Sequence, residues 1–520
     1  MKGQYAEALE QIERALIRNS RNYKARNLKA ALLRKLELID KAKGYALETI
    51  ELDVADFGAY NELALAHTAL GDNAAAQGIL SELQQLMRND AHNYLHVIAD
   101  YMNSGFYEEA IAVGERIVNL EKSVYPMLHY ALAELYKRTG QHEHAHEARR
   151  KGQLANPTYC FPNTLFELEL LESAVHANPK DDRAHYYLGN FYYDKKRPSD
   201  AIASWEQSRA LRDDYPTVHR NLGLAYYNKQ NNPQAALASL DRAFACAPDD
   251  GRIFFELDQL RKKLAWSADE RLHILEERRD LVEKRDDLYV EYVTLLNNAE
   301  CYQEAIAALT QRNFHPWEGG EGKVTGQYKL AHTELGKQAL QNGHYEAAAQ
   351  YLQQALVYPL NLGEGKLEGT QENHIYYFLG LAYEGLQRET EATSSYTTAS
   401  QGLAEPTSAM FYNDQPPEMI FYQGLAWLKL HNAKEAKRCF NKLIDYAEKH
   451  MFDDIKMDYF AVSLPDFLVF EDDLNRRNVI HCRYMRGLGL LGLGRDEEAE
   501  TELELVLEME PNHQGAMVHR

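Results

Sequence analysis

The 520-residue chain has only five cysteines (Cys160, Cys246, Cys301, Cys439 and Cys482), an odd number that never falls into Cys-x-x-Cys spacing. That excludes a disulfide framework and a cysteine-built zinc site, and reads as reduced residues filling small core spaces in a reducing compartment. Basic residues are in deficit too: 57 Lys and Arg stand against 78 Asp and Glu, a formal charge of -21. So acidic a chain repels phosphate backbones, which argues against nucleic acid as a partner. No apolar run approaches the roughly 20 residues of a spanning helix. The first residues enter an amphipathic pattern at once, with nothing signal-like, which points to the cytoplasm. Catalytic signatures are also missing, with no nucleophile elbow, supported Cys/His pair or nucleotide fingerprint. Asp453/Asp454 and Glu471/Asp472/Asp473 read as charge runs on surface loops.

What the chain does have is repetition. Leu188-Gly189-Asn190-Phe191-Tyr192-Tyr193, followed by Ala201 and Trp205, returns as Leu222-Gly223-Leu224-Ala225-Tyr226-Tyr227 with Ala236, Leu240, Ala243 and Pro248. A Leu-Gly pair, an aromatic one turn on, a small residue in the next helix and a closing Pro recur in helix-turn-helix repeats of about 34 residues. Other units are marked by Leu63-Ala64 with Gly71 and Ala76, and by Leu132-Ala133 with Gly140, Ala145 and Pro157. Further on come Leu335-Gly336 with Ala348, Leu379-Gly380 with Ala392, Gly424 with Ala436, and Gly487 with Ala499. Each turn Gly sits where the chain reverses, and each Ala where two helices approach. The expectation is an all-α, right-handed α-solenoid of about twelve units, several of them degenerate.

Three segments follow from how regular the units are: 1–157, 158–320 and 321–520. The first opens on Gly3-Gln4-Tyr5-Ala6, the turn and second helix of a repeat, so a fragment of a longer protein is expected. Residues 158–180 keep only the second half of the pattern. Asp269 to Asp287 is densely charged, and Leu272, Leu275, Leu281 and Leu288 give it an apolar stripe, so it reads as a solvated helix packed on one face. Three insertions break the period: 315–323, 361–366 and 459–475. The first two follow the second helices of consecutive repeats and should emerge on one edge.

The Leu-Gly/Tyr/Ala/Pro pattern resembles the tetratricopeptide repeat over nearly the whole chain. Arg220-Asn221-Leu222-Gly223, the stretch from Phe314 to Gly322 and the stretch from Asp458 to Asp466 look in addition like the C-terminal repeat region of large bacterial proteins bearing domain of unknown function 5107. That resemblance implies a β-rich, sugar-mutarotase-like domain ahead of the repeats. It would make this chain the accessory half of a carbohydrate-related protein.

His142-Glu143-His144-Ala145-His146 satisfies H-E-x-x-H, the spacing of a zincin site, with Glu167 or Glu169 as a conceivable third ligand. Yet Ala145 holds the packing slot that Ala110 and Ala201 hold in other repeats, and Arg149, Arg150 and Lys151 follow. A solvated helix start explains the segment, and no metal or cofactor is expected. Gly322-Lys323 and Gly365-Lys366 fail the phosphate-loop pattern, since neither has a Gly five residues earlier nor a Ser or Thr after. Their loops still form a candidate site at Trp317, Glu318, Glu321 and Lys323, where Trp317 could stack on a sugar ring. An ordered structural loop is the plainer reading.

In tetratricopeptide arrays the first helix of each repeat lines the inner surface. The resemblance therefore places Tyr186, Asn190, Tyr193, Arg220, Asn221, Tyr227 and Arg252 in a ligand groove. Two Asn from adjacent repeats plus Arg is the arrangement by which some such arrays clamp a peptide carboxylate. The match is partial, because Tyr186 replaces the expected Lys and Glu256 stands where a base would serve better. The expected role is a non-catalytic scaffold binding a protein, a peptide or an N-terminal domain of the same parent chain.

Overall fold

The computed structural model describes residues 4–120, 124–317, 319–408, 414–456 and 469–520. All regular structure there is helical, and helix starts follow the sequence closely. Asn22, Asp56, Asp72, Asp181 and Asn232 each accept a hydrogen bond from the backbone N–H three residues on, which satisfies a donor the helix cannot use. Thr164 with Glu167 and Ser267 with Glu270 form reciprocal capping boxes. The chain divides into two compact units, Met1–Leu222 and Gly223–Arg520. The three expected segments follow repeat regularity instead, and their edges at 157 and 320 lie elsewhere.

In the first unit α1 (Tyr5–Arg18) precedes four helical hairpins. These are α2 (Tyr23–Lys35) with α3 (Ile39–Leu52), α4 (Phe57–Ala69) with α5 (Asn73–Met87), α6 (Ala91–Asn103) with α7 (Tyr107–Leu120), and α8 (Pro126–Arg138) with α9 (His142–Leu154). α10 (Leu165–Ala177) is single, as the half-pattern at 158–180 suggests. α11 (Asp182–Asp194) and α12 (Pro198–Leu211) then restore the pair, and α13 (Pro216–Gln230) carries the division between units.

In the second unit α14 (Pro233–Cys246) pairs with the last part of α13. Next come α15 (Gly251–Lys263), α16 (Ala268–Glu277) and the single turn α17 (Arg279–Val282). The hairpins resume with α18 (Asp286–Asn298) and α19 (Tyr302–Thr310), α20 (Lys323–Gln341) and α21 (Tyr345–Ala355), and α22 (Asn373–Gly385) and α23 (Glu389–Ala399). The series ends with α24 (Pro417–Lys429) and α25 (Ala433–His450), α26 (Leu474–Gly492) and α27 (Asp496–Met509), and the short α28 (Gln514–His519). Each unit is thus a stack of helix-turn-helix repeats, the all-α solenoid architecture that the pattern implies.

The repeat glycines have two separate jobs. Turn glycines such as Gly71 and Gly140 hold φ of 80° and 78°, the left-handed region where a side chain is strained. Other repeats put Glu37, Lys196, Ala265 or Gln387 in the same conformation, at φ between 57° and 61°. The helix glycines serve packing. A Cβ on Gly189 would overlap Trp205, one on Gly380 would overlap Tyr396, and one on Gly424 would overlap Phe440. In each case the first helix of a hairpin gives up its side chain so that a large ring from the second helix can lie flat against it.

Asp269–Asp287 departs from the expectation of one solvated helix. The chain breaks after Glu277 and again after Val282, while Leu275, Leu281 and Leu288 are fully buried. Arg271 is fully buried as well. Its Nε and Nη2 donate to Asp258 at 3.0 and 2.7 Å, and Nη2 also reaches Glu291, to which Lys262 donates at 3.0 Å. Burial would raise the Glu291 pKa, but Lys262 and Arg271 outweigh it and hold the carboxyl below the usual carboxylate range.

Candidate functional site on the first helices

Of the residues expected to form one groove, Tyr186, Asn190, Tyr193, Arg220 and Asn221 belong to the first unit and Tyr227 and Arg252 to the second. Tyr186 is buried against Tyr187 and Tyr215, so its ring belongs to the core rather than to a ligand surface. Asn190 Oδ1 accepts from Trp205 Nε1 at 3.1 Å and from Asn221 Nδ2 at 3.2 Å, which turns the paired asparagines toward one another. Tyr193 packs on the Trp205 ring, and Arg220 is partly buried. In the second unit Tyr227 lies edge-on to Phe470, and Arg252 donates to Glu256 at 3.1 Å. The pattern located first helices correctly, but not which side chains other groups had already engaged.

The loop residues fare differently. Phe314 N donates to Asn361 O at 2.8 Å, and Gly322 N donates to Glu364 Oε1 at 2.9 Å, so the first two insertions meet. Trp317 packs into the neighbouring core and over Gly320, which makes it a brace of this loop instead of an open stacking platform. Glu321 and Lys323 are exposed, and Glu318 lies outside the described residues. So do residues 457–468, which hold most of the third insertion and the Asp458–Asp466 motif. His142 and His146 are exposed at the start of α9, Ala145 is buried, and Glu167 is spent on its capping box. No group of His, Cys, Asp and Glu placed to hold a metal occurs among the described residues.

An open site lies elsewhere in the first unit. α2, α4 and α6 enclose a cavity of about 260 Å³. Leu28, Ala31, Phe57, Val97, Tyr101 and Phe106 give it apolar and aromatic walls. Asp53, Asp56, Asp100 and Lys24 supply its charge. Asp56 has two duties, capping α4 through Ala59 N (2.8 Å) and accepting from Asn27 Nδ2 (2.7 Å). Burial, reinforced by Asp53 and Asp100, pushes its pKa up against the pull of those two bonds. Asn27 Oδ1 is buried without a hydrogen-bond partner. Lys24 Nζ bridges to Asp100 at 2.7 Å, with both side chains well exposed.

A buried network fixes this cavity from behind. Arg34 donates to Glu62 at 2.9 Å and to Glu109 at 3.0 Å, and Tyr101 OH donates to Glu62 at 2.7 Å. Asn61 Nδ2 donates to Tyr101 OH at 2.8 Å, and Arg116 donates to Asn61 Oδ1 at 2.6 Å. Tyr101 is held at both sides of its hydroxyl, so the aromatic wall is preorganised. Sequence reading missed the site because its residues come from three repeats and from the α3–α4 turn. The visible trace was Asp53 and Asp56 flanking a turn beside Phe57-Gly58.

In the second unit the first helices are covered by the chain itself. Gln514 of α28 donates to Asn298 of α18 at 2.8 Å and accepts from Gln327 of α20 at 2.9 Å. His519 Nδ1 lies 2.7 Å from Gly515 O, leaving Nε2 to accept from Tyr422 OH at 3.1 Å. Burial and the nearby Lys337 and His513 lower the His519 pKa to about 4. On α13, Asn228 Nδ2 donates to Val469 O at 2.7 Å and its Oδ1 accepts from Glu471 N at 2.8 Å. Lys229 pairs with Glu471, and Lys263 of α15 with Asp472 at 3.0 Å. The acidic run expected on a surface loop is exposed there, and its ion pairs make it a clasp as well.

Family comparison agrees with this architecture. Residues 189–230 match the model described as TPR repeat, and 333–400 match that of the tetratricopeptide repeat, so the chain carries repeats of this class. Among solved structures, the anaphase-promoting-complex assembly Cut9–Hcn1 aligns over 100% of this chain and 93% of its own, at 14% identity and a TM-score of 0.25. YrrB, described as a TPR protein with an unusual peptide-binding site, aligns over 47% of this chain and 97% of its own, at 17% identity and a TM-score of 0.18. MamA from Desulfovibrio magneticus RS-1 aligns over 38% of this chain and 97% of its own, at 20% identity and a TM-score of 0.18. Among the described residues, no helix is long and apolar enough to cross a membrane.

Proposed function

We propose that this protein is a non-catalytic scaffold that binds a protein or peptide partner on the first-helix face of its N-terminal unit. The observation that carries the reading is the cavity between α2, α4 and α6, where aromatic walls and polar groups face a space that the described residues do not fill. Selection of capped peptides from a random nine-residue library against the full chain tests it, with hydrogen exchange used to map the winners. Protection concentrated on α2, α4 and α6 is expected. If no binder emerges, or if protection falls only on other helices, the assignment is wrong.

The joined loops favour a second reading. Gly322 and Thr325 both bond to Glu364, a rigid edge of the kind that could complete a neighbouring domain's site. On this reading the chain is the accessory half of a larger carbohydrate-active bacterial protein of the kind bearing domain of unknown function 5107. Deleting 315–322 from the full-length parent should then lower its activity; unchanged turnover rejects the idea.

A further inference from the structure

The cavity of the first unit has a chemistry more specific than a general docking surface. Three carboxylates, Asp53, Asp56 and Asp100, meet a single cation, Lys24, so a ligand entering there is drawn by negative charge. Asp56 Oδ1 accepts the two bonds described above, which leaves acceptor positions on its carboxylate that ask for N–H groups. The walls ask for something else. Phe57 and Tyr101 present rings suited to a methylene stem and to a cation over an aromatic face, while Phe106 is already stacked on Tyr5 with Lys35 over its ring. At about 260 Å³ the space lies below the roughly 300–1,000 Å³ of pockets that hold whole drug-sized molecules, and suits one long side chain.

We propose that this cavity takes the basic side chain, arginine or lysine, of an extended peptide segment from a protein partner. The inference rests on the reading that this face binds a partner, and adds what the partner must bring. Lys24 now pairs with Asp100 in place of that side chain. Its bridge to Asp100 is between exposed groups, a kind of pair that contributes little and is readily exchanged. An incoming guanidinium or ammonium takes over Asp100 and releases Lys24 to solvent, while Tyr101, fixed by Glu62 and Asn61, needs no rearrangement. The overall charge of -21 disfavours an acidic peptide at the same place.

The test titrates the full-length chain with capped nonapeptides that differ only in a central Arg, Lys, citrulline or Glu, followed by fluorescence anisotropy. Arg and Lys peptides should bind at least tenfold tighter than the citrulline peptide, and the Glu peptide weakest. Asp56→Asn keeps an α4 cap and should cost the Arg peptide about five- to tenfold and the uncharged citrulline peptide a clearly smaller factor. Asp53→Asn, which touches no core group, should reduce the same preference by a smaller factor. Equal affinity for Arg and citrulline peptides overturns the proposal, as does an Arg preference that survives both substitutions. Library winners without basic residues that still protect α2, α4 and α6 would reject this inference while leaving the scaffold reading standing. Free arginine binding as tightly as the peptide would rule out a peptide as the occupant.

Discussion

The two units repeat the same hairpin, yet their first-helix faces differ. In the first unit α2, α4 and α6 surround an unfilled cavity with a surplus of acid. In the second, α28 and the Val469–Asp472 clasp bond to the corresponding faces, so polar groups that could meet a ligand meet the chain instead. The difference lies in what lies near the stack and not in the repeat. The same kind of helical hairpin produces a receptive face or a satisfied one, depending on whether another segment supplies hydrogen-bond partners and apolar cover.

The largest expected effect separates the buried charge clusters. Arg271→Ala leaves Asp258 and Glu291 buried without their common partner, and should cost about 3–5 kcal/mol in urea unfolding of the second unit. Arg34→Ala in the first unit should cost less, because Glu62 keeps the Tyr101 hydroxyl and Glu109 keeps Lys35 at 2.6 Å, whereas Asp258 loses both of the bonds that Arg271 donates to it. Equal losses would show that the two clusters are equivalent after all.

Packing substitutions come next. Gly189→Ala and Gly380→Ala push a methyl into Trp205 and Tyr396, and each should lower stability by about 1–3 kcal/mol. Thermal melts that match wild type would mean the rings shift freely. Acid should then distinguish the units. Burial lowers His519 and His332 to about 4 and His374 to about 3 in the second unit, whereas in the first only His129, at about 4, has a comparably lowered value among the described residues. An unfolded His titrates near 6.5, so between roughly pH 6.5 and 4 the unfolded chain binds more protons and stability falls with pH. Each such His removes up to about 2 kcal/mol by pH 5. Hydrogen exchange should show α28 opening before α2 to α6, and the reverse order would break the comparison. The smallest effect is a gain. Lys196→Gly and Gln387→Gly relieve left-handed strain at turns and should each add up to about 1 kcal/mol, read as a small rise in Tm.

Much of the fold was legible because the repeat writes its packing rules locally. Gly189 and Gly380 could be picked out from spacing alone, and so could Ala145 as a packing slot inside an apparent metal motif. The candidate groove was less legible. Asn190 and Asn221 looked available because nothing in the pattern reveals that Trp205 Nε1 already bonds to Asn190. Arg271 looked solvated because a charged run hides which member turns inward. Asp56 and Asn27 drew no notice, since their importance comes from Tyr101 and Asp100 across two repeats.

By itself, then, the sequence determined the helical hairpin and the positions of its turns and caps. These depend on neighbours within about one repeat, where periodicity and turn chemistry are decisive. Tertiary structure alone decided which first-helix face stays open. That outcome rests on contacts such as Asn228 with Glu471 and Gln514 with Asn298, which join residues more than 200 positions apart. No local pattern encodes them, because hydrogen-bond satisfaction and charge balance are settled only when distant segments arrive.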